Sequence, residues 1–384
     1  MNSLKQQVLE LLSALIRIPS INPNLTDEKD QNEMNIAVYA RDWLQKHHIK
    51  AVIEEVQPGR PNVYAEVGED QGKTLCFCAH LDTVGVKEMT IPPFEPVVEG
   101  NKVYGRGSCD MKGGLAAVMC AARAFAEAKL PGKLILALVC DEEYTSIGAD
   151  DFVRRHRADA CILTEPSDLN LLIAHKGFLW GKIATQGKSA HGSRWDIGES
   201  AINKMGKILT ALDTFDKTIL RKRVKDLVGP ASLHVSLIEG GSGISTYASS
   251  CTIHLERRTL PTEQREEVQA ELDEVIRTVD PEASIEWYFY REPFACDAKE
   301  EIVECVNNSF RNVLGLDPKH IGWGIWTDAA IFQKAGIPTV NIGPIGFGLH
   351  EPVEWVDIDS VVHNASILFH AAKEYLNAAN ILRR

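Results

Sequence analysis

The 384-residue chain has no run approaching the roughly 20 consecutive apolar residues that a membrane-spanning helix needs. It is also short of positive charge. Lys and Arg total 41 against 53 Asp and Glu, a formal net charge of −12. That balance argues against a nucleic-acid backbone or an anionic membrane surface as the main partner, and it leaves room for a bound cation. The nine cysteines are scattered and form no C-x-x-C pair, which removes a zinc knuckle and a thioredoxin-type motif. Cys76, Cys78, Cys120, Cys140 and Cys161 sit in apolar runs, where a free thiol behaves as a small hydrophobe. A reducing cytoplasm is therefore expected. The first residues, MNSLKQQVLELLSALIRIPS, lack the layout of a signal peptide and carry apolar side chains at helical spacing instead. Internal repeats, low-complexity tracts and long linkers are missing too.

What the sequence does contain is an alternation of strands and helices. Residues 3–17 and 33–47 read as amphipathic helices, and 50–56 and 62–67 as strands. TLCFCA (74–79), LILALVC (134–140) and ACILT (160–164) are continuously apolar strands, separated by an Ala-rich helix over 113–129. Strands without an alternating polar face imply a sheet covered on both sides. The same style returns after about residue 295, with helices at 299–313, 328–335 and 357–380 and a strand at 338–342. The middle differs. Strands at 178–186, 231–238, 251–257 and 284–290 and helices at 198–213 and 262–279 follow the order β-α-β-β-α-β, a ferredoxin-like pattern. The expected fold class is thus α/β. A largely parallel mixed sheet flanked by helices forms one domain from residues 1–177 and 293–384, interrupted by a smaller α+β domain at 178–292. Hinges are expected at Lys176-Gly177 and Glu292-Pro293.

Ligands of open α/β sheets gather at the carboxyl ends of the strands. Here those ends run into His80-Leu81-Asp82, Asp141-Glu142-Glu143 and Glu165. Asp110 stands in the loop before helix 113–129, and His350-Glu351 follow the strand at 338–342. Each piece alone reads as a solvated turn or a Gly-rich loop. GRGSCDMKGG also fails both phosphate-loop fingerprints, since Asp110 occupies the sixth position of G-x-G-x-x-G. Five separated segments bringing imidazoles and carboxylates to one sheet edge are harder to explain that way. Together they have the composition of a mixed nitrogen and oxygen site for zinc, cobalt or manganese.

HLDTV (80–84), GRGSCDMKGG (105–114), DEEYTS (141–146), TEPS (164–167), SAHGS (189–193), ERRTLP (256–261) and GLHEPVEW (348–355) resemble a family of two-metal peptidases. Its members include acetylornithine deacetylase, succinyl-diaminopimelate desuccinylase, aminoacylase and glutamate-releasing carboxypeptidases. The resemblance spans nearly the whole chain. It implies two divalent ions, zinc first, with cobalt or manganese as alternatives. His80 and Glu165 would hold one, Glu143 and His350 the other, and Asp110 would bridge them. Asp82 would accept the second ring N–H of His80 and fix its tautomer. Glu142 would be the general base, taking a proton from the attacking water and passing it to the departing amine. His191 would stabilise the oxyanion from the partner subunit of a homodimer formed through the small domain. Arg258 would meet the substrate's α-carboxylate, with a salt bridge inside the small domain as the competing reading. Arg257, on the opposite face of the strand, is expected to be solvated.

In one place the sequence departs from that family. Many members carry an Asn after the Gly-Gly pair that precedes the arginine strand. GGSGISTYASS (240–250) offers Ser245 and Thr246 instead, each a hydroxyl without an amide's paired bonding. Thr327, with Trp323 and Trp326, is expected to border the cleft, and Asp328 reads equally as a helix cap. Cys109 is expected to point into packing. The expected activity is removal of an acyl group from an N-acyl amino acid with a free α-carboxylate. Dipeptidase, carboxypeptidase or succinyl-diaminopimelate desuccinylase-like activity is the alternative. A binding protein that has lost its chemistry should have lost Glu142 or a ligand, and this chain keeps them all.

Overall fold

The computed structural model describes residues 2–28, 31–69 and 72–381. It divides into two compact units. The first runs from the N-terminus to Ile173 and resumes at Cys296–Ile321 and from Thr327 onward; the second is Ala174–Ala295 with Gly322–Trp326. Gly322–Trp326, assigned to the larger domain by sequence, thus falls with the smaller one. The reason is local bonding. The Lys176 N–H donates to the Trp323 carbonyl (3.1 Å), and the Trp326 indole donates to the Glu292 carbonyl (3.0 Å). No helix among the described residues is long and apolar enough to cross a membrane.

The first unit is built on a mixed sheet. From one edge its strands run Lys50–Gln57, Arg60–Gly68, Lys133–Val139, Thr74–His80, Ala160–Leu163, Thr339–Asn341 and Leu171–His175. The four from Lys133–Val139 to Thr339–Asn341 are parallel. Their side chains are almost all buried, as the absence of polar alternation requires. Helix Gly113–Ala128 packs against helices Asn2–Ile16 and Ile358–Ile381. Its small Ala, Gly and Cys side chains let it be buried on nearly every side. It stops at Lys129, which takes a left-handed conformation before Pro131. Helix Asn2–Ile16 buries Val8, Leu11, Leu12, Leu15 and Ile16, the stripe its spacing predicts.

Register fixes the chemistry. Cys78 pairs with Leu163, so His80 and Glu165, each two residues further on, emerge level with one another. His80 pairs with Val139, so Asp141–Glu143 lie just beyond that strand's end. A second, small sheet joins Val97–Glu99, Lys102–Tyr104, Trp355–Asp357 and Gly346–Phe347. Tyr104 pairs with Trp355, which sets the loop of Asp110 beside the loop of His350. Strands of two or three residues leave no periodic signal in the sequence.

The second unit has an antiparallel sheet in the order Ser232–Gly240, Ser250–Thr259, Gly177–Gln186 and Ser284–Arg291, with helices Ala201–Thr218 and Arg265–Val279. Leu179, Ile183, Ile253 and Leu255 pack with Met205, Ile208, Leu272 and Ile276 in its core. Along Ser250–Thr259 the buried positions are Cys251, Ile253, Leu255, Arg257 and Thr259. Arg257 is therefore not solvated as expected. It is in phase with the apolar face and 0% exposed, and it pairs with Glu263 at 2.6 Å. Such a guanidinium is tolerated only because a carboxylate partner is provided.

Candidate metal centre

Asp110 stands between two histidines. Its Oδ1 lies 3.1 Å from His80 Nε2, and its Oδ2 lies 3.5 Å from His350 Nε2. His80 Nε2 is also 3.8 Å from Glu165, and His350 Nε2 is 2.9 Å from Glu143 Oε2. All five residues proposed as ligands from the sequence are thereby brought into one cluster at the carboxyl edge of the parallel strands. His80, Asp110 and Glu143 can converge on one ion, and so can His80, Glu142 and Glu165. The first set contains Asp110, the carboxylate expected to bridge. The second contains the residue assigned as base.

Several members are held from behind. Asn341 accepts the Glu165 N–H at 2.7 Å and returns a bond from its own amide to the Glu165 carbonyl at 3.1 Å. The Asp82 arrangement differs from expectation. His80 Nδ1 lies 2.9 Å from the backbone carbonyl of Asp82, whereas the carboxylate is 3.6 Å away. That carboxylate instead accepts the N–H groups of Glu142 (3.1 Å) and Glu143 (3.2 Å) and the side-chain amide of Asn22 (2.8 Å). The backbone carbonyl can still hold the ring's tautomer, so that Nε2 faces the cluster. Asn22 also donates to Asp141 at 3.0 Å. Arg60 donates to Asp141 at 2.6 Å and grips Glu33 with two nitrogens. Asn22, Glu33 and Arg60 had no signal in the sequence, because their partners lie far along the chain.

Charge is concentrated here. Burial, and then the Glu165 charge, pushes the Glu142 carboxyl well above its ordinary range. Burial and the Asp110 charge bring Glu143 up to about 7. Burial raises Glu165 well above its usual value, against the opposing pull of His80. Asp110 is held low despite its burial, by His350 and His80. His350 is raised to about 10 by its bonds to Asp110 and Glu143. Four acidic side chains thus face two imidazoles. A divalent cation is the partner that such a set of donors fits, and Glu143 Oε1, buried without a hydrogen-bond partner, is consistent with that fit.

The remaining sequence candidates fall in two groups. Thr327 is buried where helix Ala329–Lys334 begins, its hydroxyl accepting the Ala329 N–H at 3.3 Å. Asp328 makes no capping bond from its side chain. It is buried, and its charge helps raise Glu142 and Glu165. Cys109 is buried, and burial together with Asp110 pushes its thiol up, away from reactivity.

The other group lies in the second unit and is described within it. His191 is exposed, with Nδ1 2.8 Å from the Ser193 hydroxyl. It bridges Thr246, and the Gly192 N–H donates to the Ser245 carbonyl at 2.7 Å, so His191, Ser245 and Thr246 come together. A hollow of about 360 Å³ beside them is lined by Thr246, Asn203 and Tyr247 among others. Arg258 bonds Glu256 at 2.7 Å and covers the Phe178 ring, the salt bridge weighed against a carboxylate-binding role. Trp326 packs edge-on to Phe178.

Residues 76–374 match the model of peptidase family M20/M25/M40. The chain belongs to that family. As a member it is a hydrolase of amide bonds. An acetylornithine deacetylase from Vibrio atlanticus is 27% identical over 379 residues, covering 96% of this chain and 98% of the relative. Among solved structures, an M20 family metallo-carboxypeptidase from Sulfolobus solfataricus superposes with a TM-score of 0.81 at 20% identity, covering 96% of this chain and 99% of that one. A dinuclear metal-binding M20 peptidase from Bacillus subtilis gives 0.74 at 16% identity, covering 98% of this chain and 99% of its own. These two likenesses establish the fold.

Proposed function

We propose that the chain is a two-metal amidohydrolase that removes the acyl group from N-acyl amino acids bearing a free α-carboxylate. The observation that carries the reading is Asp110, which turns one carboxylate oxygen toward each of two histidines. Zinc is the first choice of ion for this mixture of imidazole and carboxylate, with cobalt or manganese as alternatives. His80 and Glu165 would hold one ion, Glu143 and His350 the other, and Asp110 both. Bound there, the ions supply Lewis acidity and make water a better nucleophile at neutral pH.

The chain's own groups supply the rest. Glu142 takes the proton of the attacking water and delivers it to the amine nitrogen as the amide bond breaks. Asp82 holds the turn that carries Glu142. His191 donates to the developing oxyanion, from the partner subunit of a homodimer formed through the second unit. Arg258 receives the α-carboxylate, and Ser245, Thr246 and Thr327 contribute single hydroxyl contacts. The Vibrio atlanticus relative, named acetylornithine deacetylase, supports the deacylase reading. Dipeptidase, carboxypeptidase or desuccinylase-like action is the second reading. It stands beside the first because Ser245 and Thr246 offer hydroxyls where an amide is expected, which changes what the pocket can grip without altering the hydrolysis. All nine cysteines are free and buried, which suits a reducing compartment such as the cytoplasm.

The experiment is amine release from a panel of N-acetyl, N-succinyl and N-formyl amino acids and dipeptides, using protein stripped of metal and then reloaded. Metal-dependent release from N-acyl amino acids supports the reading. Release from dipeptides alone replaces it with the second.

A further inference from the structure

We propose that Glu354 is the positioning residue that fixes Asp110, and through it the simultaneous binding of two metal ions. The inference rests on the two-metal reading above.

Glu354 is 0% exposed, and its carboxylate bonds the Arg106 side chain and the backbone of Gly107, Cys109 and Asp110. Both carboxylate oxygens are engaged. Oε1 accepts the N–H groups of Cys109 (2.8 Å) and Asp110 (3.0 Å). Oε2 accepts the Gly107 N–H and the Arg106 guanidinium, both at 2.9 Å. The loop from Arg106 to Asp110 is therefore wrapped around one buried anion, in the manner of a backbone anion nest. Gly107 permits the wrap. Its φ is +78°, and a Cβ there would meet Thr83 Cγ2 at 2.8 Å.

The same segment ties the two ligand loops together. The Gly105 N–H donates to the Glu354 carbonyl at 3.2 Å, and Arg106 Nη2 donates to the Glu351 carbonyl at 3.3 Å, next to His350. Asp110 can serve two ions only if each carboxylate oxygen keeps its direction. That direction is set by the backbone at Asp110, and the backbone N–H is bonded to Glu354. A side chain four residues after His350 thus orients the ligand shared with His80. Charge-assisted bonds of this kind are short and directional, and an amide in their place would turn its NH₂ toward donors.

The test is Glu354→Gln, with metal binding as the readout. Native and variant protein are stripped, dialysed and titrated with cobalt, followed by visible absorption, and bound metal per chain is counted. Far-ultraviolet circular dichroism checks folding. The native chain should bind two ions. In the folded variant the weaker site should lose on the order of 10- to 100-fold in affinity, the scale seen for groups that orient metal ligands. A purely structural Glu354 would lower the melting temperature and leave both affinities unchanged, and that result overturns the inference. A native chain that binds fewer than two ions overturns the two-metal reading itself. If Glu354→Gln does not fold, Glu354→Asp carries the same test. It keeps the charge but withdraws it by one methylene, and unchanged affinity at both sites is again the overturning result.

Discussion

The Asp82 carboxylate accepts the backbone N–H groups of Glu142 at 3.1 Å and of its neighbour Glu143 at 3.2 Å. One buried anion therefore orients both the proposed base and a proposed metal ligand. Asp82→Asn keeps the shape but turns an NH₂ toward at least one of those donors. We expect kcat to fall by roughly 10- to 100-fold, with weaker metal retention. Steady-state kinetics with metal analysis would check this. A rate within twofold of the native value would leave Asp82 as a simple turn residue.

Glu142 separates base from ligand. It can converge with His80 and Glu165 on a single point, so geometry alone admits either role. With Glu142→Gln we expect kcat to drop by about 10² to 10⁴ while both ions stay bound. Loss of one ion in that variant would make Glu142 a ligand.

The proposed contribution of His191 from a partner subunit has a direct test. His191→Ala protein and Glu142→Gln protein should each be nearly inactive alone. Mixed and allowed to exchange subunits, they should regain activity, because one site in the mixed dimer has both native residues. No recovery, with exchange demonstrated, would place His191 in its own subunit's site or outside catalysis.

Two adjacent arginines should fail in different ways. Arg257 is fully buried against Glu263, and Arg257→Met leaves that carboxylate only the Leu260 N–H and Arg223. A loss of about 1.5–3 kcal/mol in stability is expected from denaturant melts. Arg258 is part-exposed in its bond to Glu256. Arg258→Met should leave stability within about 1 kcal/mol of native and raise KM for substrates with a free carboxylate. An unchanged KM would leave Arg258 with only its salt bridge.

Much of this was legible in the sequence. His80, Glu165 and the acidic turn at 141–143 could be placed at one sheet edge because three apolar strands end there, and parallel register does the rest. The βαββαβ order of the second unit was visible from alternating positions. The same alternation already put Arg257 in phase with Ile253 and Leu255, and residue type was the wrong guide there. What stayed hidden depends on partners distant in the chain. Glu354 bonds residues about 245 positions earlier, and Arg60 bonds Asp141 across 81. A buried polar residue is set by its partner, and local pattern carries no trace of it. The short strands Lys102–Tyr104 and Trp355–Asp357, which set the Asp110 and His350 loops side by side, are too brief for any period.

Anomalous diffraction from crystals of the zinc-loaded protein, recorded on both sides of the zinc absorption edge, tests the central claim most directly. Two peaks are expected, one touching His80 and Glu165, the other Glu143 and His350, with Asp110 reaching both and Glu142 reaching neither. A single peak at full loading, or one held by Glu142 in place of Asp110, would contradict the proposed two-metal centre.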